Sequence, residues 1–322
     1  MKTGLLFSFF LFPFFNSFFV KNNVEDYKID THSEANVSVV ILGNVQDAGF
    51  PHIGCNKSCC KNKFKSDSQN EKVVSLGIID QSSGKRYLIE ATPDITQQIK
   101  LLKNTEPQNS KELPDGIFIT HAHIGHYSGL MYLGREGMNS KETKVYLMPF
   151  FKSFIENNGP WNQLVKIGNI VLNELQDEKE IALSESLKVK PVLVPHRDEY
   201  SETVGFIISG KNKSILFIPD IDKWNKWDHD IIDLIQKVDY AFIDGTFYDA
   251  NELPGRSMEE IPHPFIKESM ELFKTLTAEQ KSKIHFIHLN HTNPALDPKT
   301  KESKLILKKG FNVARMGMRF EL

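Results

Sequence analysis

The chain has 322 residues, enough for one large domain or two ordinary ones with a sizeable core. Its 39 Lys and Arg are scattered against 41 Asp and Glu for a net charge of -2, which excludes a strongly basic binder of nucleic acid or membrane surface. Its three cysteines all fall between positions 55 and 60, which argues against a disulfide framework spread along the chain.

In chain order, the amino terminus differs in kind from the rest. Met1-Lys2-Thr3 precedes Gly4 to Val20, seventeen residues that include eight Phe. A short positive region followed by an apolar stretch predicts a secretory signal over residues 1–33, or an uncleaved anchor, since no small-x-small cleavage site stands out. The expectation is an exported protein, periplasmic or extracellular, or one tethered to the membrane by that segment alone. From there, strands and helices mix without repeat or linker, predicting one domain over 34–322. Apolar and β-branched runs predict strands at 37–43, 73–80, 86–91, 116–120, 144–148, 187–194, 204–209, 214–218, 240–243 and 284–289. Helices are expected at 94–102, 127–138, 227–236 and 265–276. The mixture predicts an α/β fold of two sheets with helices packed outside.

Between the first two strands lies Gly54-Cys55-Asn56-Lys57-Ser58-Cys59-Cys60. A bridge between adjacent Cys59 and Cys60 would be strained. Three clustered thiols instead point to a closed zinc site that lacks one ligand.

The fourth predicted strand runs into Thr120-His121-Ala122-His123-Ile124-Gly125-His126. Three imidazoles within six residues at a strand's exit are poor core material and good metal ligands. The i, i+2 spacing lets His121 and His123 reach one ion, while His126 points elsewhere and can serve a second. Later strand ends repeat this polar punctuation. One run ends at His196, another at Asp220, and a third carries His288 and His291. Nitrogen and oxygen ligands without thiolate suit Zn(II), Fe(II) or Mn(II) and leave a position for water.

That order of motifs resembles the metallo-β-lactamase superfamily, whose fold is an αββα four-layer sandwich. The resemblance implies that His121, His123 and His196 hold a first metal, that Asp220 bridges, and that His126 and His288 hold a second. More narrowly, the chain looks like the family of pyrroloquinoline quinone biosynthesis protein B. That likeness rests on Ile41-Leu-Gly-Asn-Val-Gln-Asp-Ala-Gly-Phe-Pro51, Ala91-Thr-Pro-Asp94, Asp244-Gly-Thr-Phe247 and His288-Leu-Asn-His-Thr-Asn-Pro294. A related phosphodiesterase group carries a structural zinc on three cysteines and a histidine. This implies Cys55, Cys60 and His291 here, with Cys59 in place of a middle thiol that Lys57 replaces. Gly125 stands where the superfamily usually has Asp, so the second position is expected to be the weaker one.

The expected activity is that of a metal-dependent hydrolase. A bound cation lowers the pKa of its water toward neutrality and polarises the scissile ester, phosphodiester, thioester or lactam. Asp220 is expected to orient that hydroxide as well as ligate, and His263 to face substrate or protonate a leaving group. Asp94 and Asp244 are candidates for supporting ligand imidazoles from behind. The expected partner is a small-molecule substrate, with no nucleic acid. Two other readings are a mononuclear Fe(II) oxidative enzyme, and a non-catalytic carrier of a quinone-type cofactor.

Overall fold

The computed structural model describes residues 37–65, 71–105 and 109–322. The segment 1–33, read above as a signal or anchor, lies outside the described residues.

The first sheet takes β1 (Val37–Gly43), β2 (Ser75–Asp80), β3 (Lys85–Ile89), β4 (Gly116–Phe118), β5 (Thr143–Leu147) and β6 (Ile170–Glu174). The second takes β7 (Ile181–Ala182), β8 (Lys188–Leu193), β9 (Val204–Ser209), β10 (Ser214–Ile218), β11 (Tyr240–Asp244), β12 (Ile284–Ile287) and β13 (Asn312–Val313). The chain then returns to the first sheet as β14 (Arg319–Glu321), giving the orders β14-β1-β2-β3-β4-β5-β6 and β13-β12-β11-β10-β9-β8-β7.

Alternation along the strands builds the layers. In β1, Val39 and Ile41 enter a core shared by the two sheets, with Phe206, Ile208, Phe217 and Phe242 opposite. Val40 and Leu42 point the other way, under α1 (Ile95–Asn104). Both faces are covered, so the strand is apolar at successive positions rather than at alternate ones. On this outer side α3 (Pro149–Asn157) and α4 (Trp161–Lys166) add Phe151, Ile155 and Leu164, beyond the short α2 (Ile124–Tyr127). On the far side of the second sheet, α5 (Ile231–Lys237), α6 (Ile266–Leu272) and α8 (Lys301–Lys308) pack onto Leu216, Ile218 and Ile243, with α7 (Ala278–Ser282) preceding β12. The result is the expected αββα sandwich.

Three expected helices take other forms. Residues 127–138 are not one helix but α2 followed by a 3-10 turn, Ser128–Leu133. The reason is a backbone contact: Gly129 N donates to Ala91 O at 2.8 Å, and a Cβ at Gly129 would meet Thr92 O at 2.2 Å. The 227–236 helix begins only at Ile231, where the Asp230 carboxylate accepts from Ile232 N at 2.8 Å as a cap. The 265–276 helix tightens into a 3-10 turn over Phe273–Thr275.

Candidate metal centre

Six loops deliver polar side chains to one edge, each following a strand. The loop after β4 carries Thr120 to His126, β8 leads to His196, and β10 leads to Asp220 and Asp222. β11 ends in Asp244 ahead of Thr246, β12 is followed by His288, and the loop after β1 adds Asp47. Strands β10, β11 and β12 are parallel, so their carboxyl ends share an edge, the usual seat of a site in such sheets. The loop of the first sheet is tied to the second: Val204 N donates to Thr120 O at 3.1 Å and Ala122 N to Ser201 Oγ at 2.8 Å.

Asp220 is the hub. Its Oδ2 stands 3.3 Å from His196 Nε2, 3.5 Å from His121 Nε2, and 4.0 Å from Nε2 of both His126 and His288. The outer nitrogen of each ring is committed elsewhere. His121 Nδ1 lies 2.9 Å from Thr120 Oγ1, and that hydroxyl donates to Glu90 Oε1 at 2.6 Å. His196 Nδ1 lies 3.2 Å from Asp222 Oδ1, and His288 Nδ1 lies 2.8 Å from Thr246 Oγ1, which donates to Asp244 Oδ1 at 2.7 Å. His126 Nδ1 stands 3.2 Å from Glu90 Oε1, within ion-pair range though not aligned as a hydrogen bond. His123 is reversed: its Nε2 meets Glu199 Oε2 at 2.9 Å and its Nδ1 faces inward.

These partners set the tautomers. An acceptor behind a ring keeps the proton on the outer nitrogen and leaves a lone pair toward the centre. His121 Nε2 and His123 Nδ1 then face each other with lone pairs at 2.9 Å, and His196 Nε2 faces His123 Nδ1 at 3.2 Å. Opposed lone pairs repel unless a cation lies among them. Asp220 Oδ1 is also buried with no aligned hydrogen bond, its neighbour His263 Nδ1 at 3.2 Å being an ion-pair contact. The donors therefore fit a metal, and their mixed nitrogen and oxygen chemistry suits Zn(II), Fe(II) or Mn(II). Two groups form around the shared carboxylate: His121, His123, His196 and Asp220, and Asp47, His126, His288 and Asp220.

Burial and neighbouring charge shape the centre further. Burial pushes the pKa of His121 well below the usual range, and His126 adds to the effect. Burial opposes ionisation of Asp220, but His263 and His196 outweigh it and hold its carboxyl well below the carboxylate range. His263 Nδ1 stands 2.9 Å from Asp244 Oδ2 and 3.2 Å from Asp220 Oδ1. Backbone strain is present too. His288 has φ 63° and Glu90 φ 75°, left-handed conformations that cost on the order of 1–3 kcal/mol each in non-glycine residues.

A second cluster lies apart. Cys55, Cys59 and Cys60 are free thiols with their sulfurs within 4.8 Å of one another. Burial, reinforced by the neighbouring thiols, pushes Cys59 up to about 12. His291, the expected fourth member, lies outside the group of sulfurs within that distance. Its ring stacks on His52 at 4.3 Å between centroids and its Nδ1 lies 3.0 Å from Asn290 Oδ1, although it shares with Cys55 a cavity of about 450 Å³.

The family model described as a beta-lactamase superfamily domain matches residues 85–286. The chain belongs to this superfamily. It is 25% identical over 311 residues to coenzyme PQQ synthesis protein B of Acinetobacter baylyi, covering 88% of this chain and 99% of the relative. The protein of the same name from Methylorubrum extorquens strain PA1 is 26% identical over 305 residues, with the same coverage. Among solved structures, Zn(2+)-bound PqqB from Methylobacterium extorquens aligns with a TM-score of 0.74 at 20% identity, over 88% of this chain and all of that one. A diphosphatase from the PhnP family aligns with a TM-score of 0.59 at 20% identity, over 89% of this chain and 97% of the other.

Within this superfamily member, several sequence expectations need correction. Asp94 supports no ligand; its Oδ2 accepts from Val73 N at 2.9 Å and so ties the start of α1 to the segment ahead of β2. Asp244, by contrast, stands behind both His288, through Thr246, and His263. Export is not upheld either. Among the described residues no helix is long and apolar enough to cross a membrane, and the segment that suggested export lies outside them.

Asp47, Glu90, Asp222 and Glu199 went unread in the sequence. Asp222, two residues beyond Asp220 in Pro219-Asp-Ile-Asp222, carried the clearest available signal.

Proposed function

We propose that this superfamily member is a metal-dependent hydrolase acting on a phosphate ester of a small molecule. The carrying observation is the set of imidazole nitrogens turned inward around Asp220, with the rings of His121, His123, His196 and His288 each held from behind by a polar partner. A mere binder needs no such open centre. His121, His123, His196 and Asp220 would hold one ion, and Asp220, His126 and His288 would contribute to a second. Zn(II) is the favoured identity, in keeping with the Zn(2+)-bound relative of the same fold. Bound cations supply an activated water and withdraw charge from the scissile bond.

The chain's own groups do the rest. Asp244 holds His263 beside Asp220, where an imidazolium is favoured: burial opposes its charging, but the Asp244 and Asp220 carboxylates outweigh it. His263 is thereby the group to protonate a leaving oxygen. Arg197, with Nη2 3.5 Å from His123 Nε2, presents an exposed guanidinium whose fork matches phosphate oxygens. This favours a phosphate ester over a lactam or neutral ester, in line with the diphosphatase of the same fold. Cys55, Cys59 and Cys60 are assigned to a structural zinc.

The test counts metals per chain in the full-length protein and in His121→Ala, alongside turnover of bis(p-nitrophenyl) phosphate and p-nitrophenyl acetate. Metal-dependent turnover of the phosphodiester that falls with the metal count in the variant is expected. An unchanged metal count in His121→Ala, or no phosphodiester turnover by the metal-loaded protein, would overturn the assignment.

A further inference from the structure

The geometry points to Asp47 as the carboxylate ligand of the second cation position, admitted there by the missing side chain of Gly125. This inference rests on the metal reading above and extends it to a residue pair. Asp47 Oδ1 stands 3.2 Å from His126 Nε2 and 3.1 Å from His288 Nε2, between the two imidazoles whose outer nitrogens face Glu90 and Thr246. With Asp220 these residues offer two nitrogens and two carboxylate oxygens within 4.8 Å of one another. That set takes a borderline divalent cation of the Zn(II), Fe(II) or Mn(II) class.

Asp47 is not a loose side chain that happens to fall there. Val45 bridges to both Val73 and Leu289, Gln46 N donates to Leu289 O at 3.0 Å, and Gly49 N donates to Gln46 O at 2.8 Å. The turn is thus pinned to the segment that follows His288, and Asp47 is aimed at that imidazole by backbone.

Gly125 supplies the complementary half. It sits in α2 with no left-handed φ, so its backbone conformation does not call for glycine. Space does. A Cβ at Gly125 would lie 2.5 Å from both Cα and Cβ of Asp47 and 2.8 Å from its Cγ. The obstruction is backbone and the stem of a short side chain, which cannot swing away. Any residue larger than glycine must therefore displace Asp47 from the two imidazoles. Gly125, expected from the sequence to weaken the second position, instead makes room for the carboxylate that completes it.

Cobalt(II) titration of the metal-stripped, full-length protein, followed by visible absorption and by cobalt counted per chain, tests the pair. Wild type should fill both positions around Asp220. Asp47→Asn keeps the shape and removes the charged ligand; it should weaken the second binding step by about 10- to 100-fold and leave the first unchanged. Gly125→Ala, which removes no ligand atom, should weaken the same step. An unchanged second step in Asp47→Asn would overturn the inference. His121→Ala provides the separation from the broader reading: its loss of the first step upholds the metal centre whatever Asp47 does.

Discussion

Glu90 and His126 meet in the interior at 3.2 Å, both fully buried, and the same Glu90 carboxylate accepts the Thr120 hydroxyl at 2.6 Å. Thr120 in turn faces His121 Nδ1 at 2.9 Å, so one carboxylate at the end of β3 orients the ring of His121 through a hydroxyl and lies in ion-pair range of His126 in the other half of the centre. Glu90→Gln preserves shape but offers an amide that can donate as well as accept. We expect metal affinity to fall by about 10- to 100-fold at both positions, with the melting behaviour of the metal-free protein changed far less. Isothermal titration with zinc checks this. Full affinity in the variant would mean that the tautomers are set without Glu90.

Thr246 offers a more selective probe. It accepts from His288 Nδ1 at 2.8 Å and donates to Asp244 Oδ1 at 2.7 Å. Thr246→Val keeps the volume and removes the hydroxyl, leaving His288 Nδ1 without this acceptor and a lone pair on Asp244 unmet. The expected result is a stability loss of about 1–3 kcal/mol in urea melts, with the second metal step weakened and the first intact. Equal weakening of both steps would show that the two halves of the centre are not separable through their supports.

Much of this architecture is legible in the amino-acid order, and the reason differs from element to element. β1, β9 and β10 coincide with their expected ranges because a strand covered on both faces is a plain apolar run. β6 and α8 escape notice because they lie at the margin: β6 mixes buried Ile170 with exposed Val171 and Glu174, and α8 buries only Ser303 and Ile306. The ligand histidines announce themselves by clustering at strand exits. Asp47 and Glu90 do not. Asp47 sits in Val-Gln-Asp-Ala-Gly, where an Asp reads as an ordinary turn former. Glu90 reads as a charge at a strand end, and only the approach of Thr120 and His126 from the next loop gives its burial a meaning.

The core beneath the site makes its own prediction. Phe118, at the end of β4, stacks on Tyr146 at 4.3 Å and meets Phe206 of the opposite sheet edge-on at 5.7 Å. It thus joins the sheets two residues ahead of Thr120. Phe118→Ala should cost about 3–5 kcal/mol, from lost transfer energy and the cavity left between the layers. Denaturant unfolding gives the value. A loss below about 1 kcal/mol would mean that the sheets close over the gap, and the metal loop would then be expected to shift with them.

A last prediction concerns pH and a carboxylate away from the metal centre. Glu252 accepts from Tyr248 N and from Thr292 Oγ1, the latter at 2.8 Å, yet burial outweighs both bonds and raises its pKa to about 7. Below pH 4.5, its ordinary value, the group is protonated in the folded and unfolded chains alike, and it costs nothing. Between pH 4.5 and about 7 the folded protein keeps a proton that the unfolded chain has released, so this residue's contribution to stability declines as pH rises through that window. Above about 7 both forms are ionised and the loss is complete, at no more than about 3 kcal/mol. Glu252→Gln retains an acceptor for Tyr248 and a polar partner for Thr292 without the charge. It should therefore melt higher than wild type at pH 8, with the difference shrinking to nothing or reversing by pH 4.5. A gain that stays constant across that range would show that burial of charge at Glu252 is not its source.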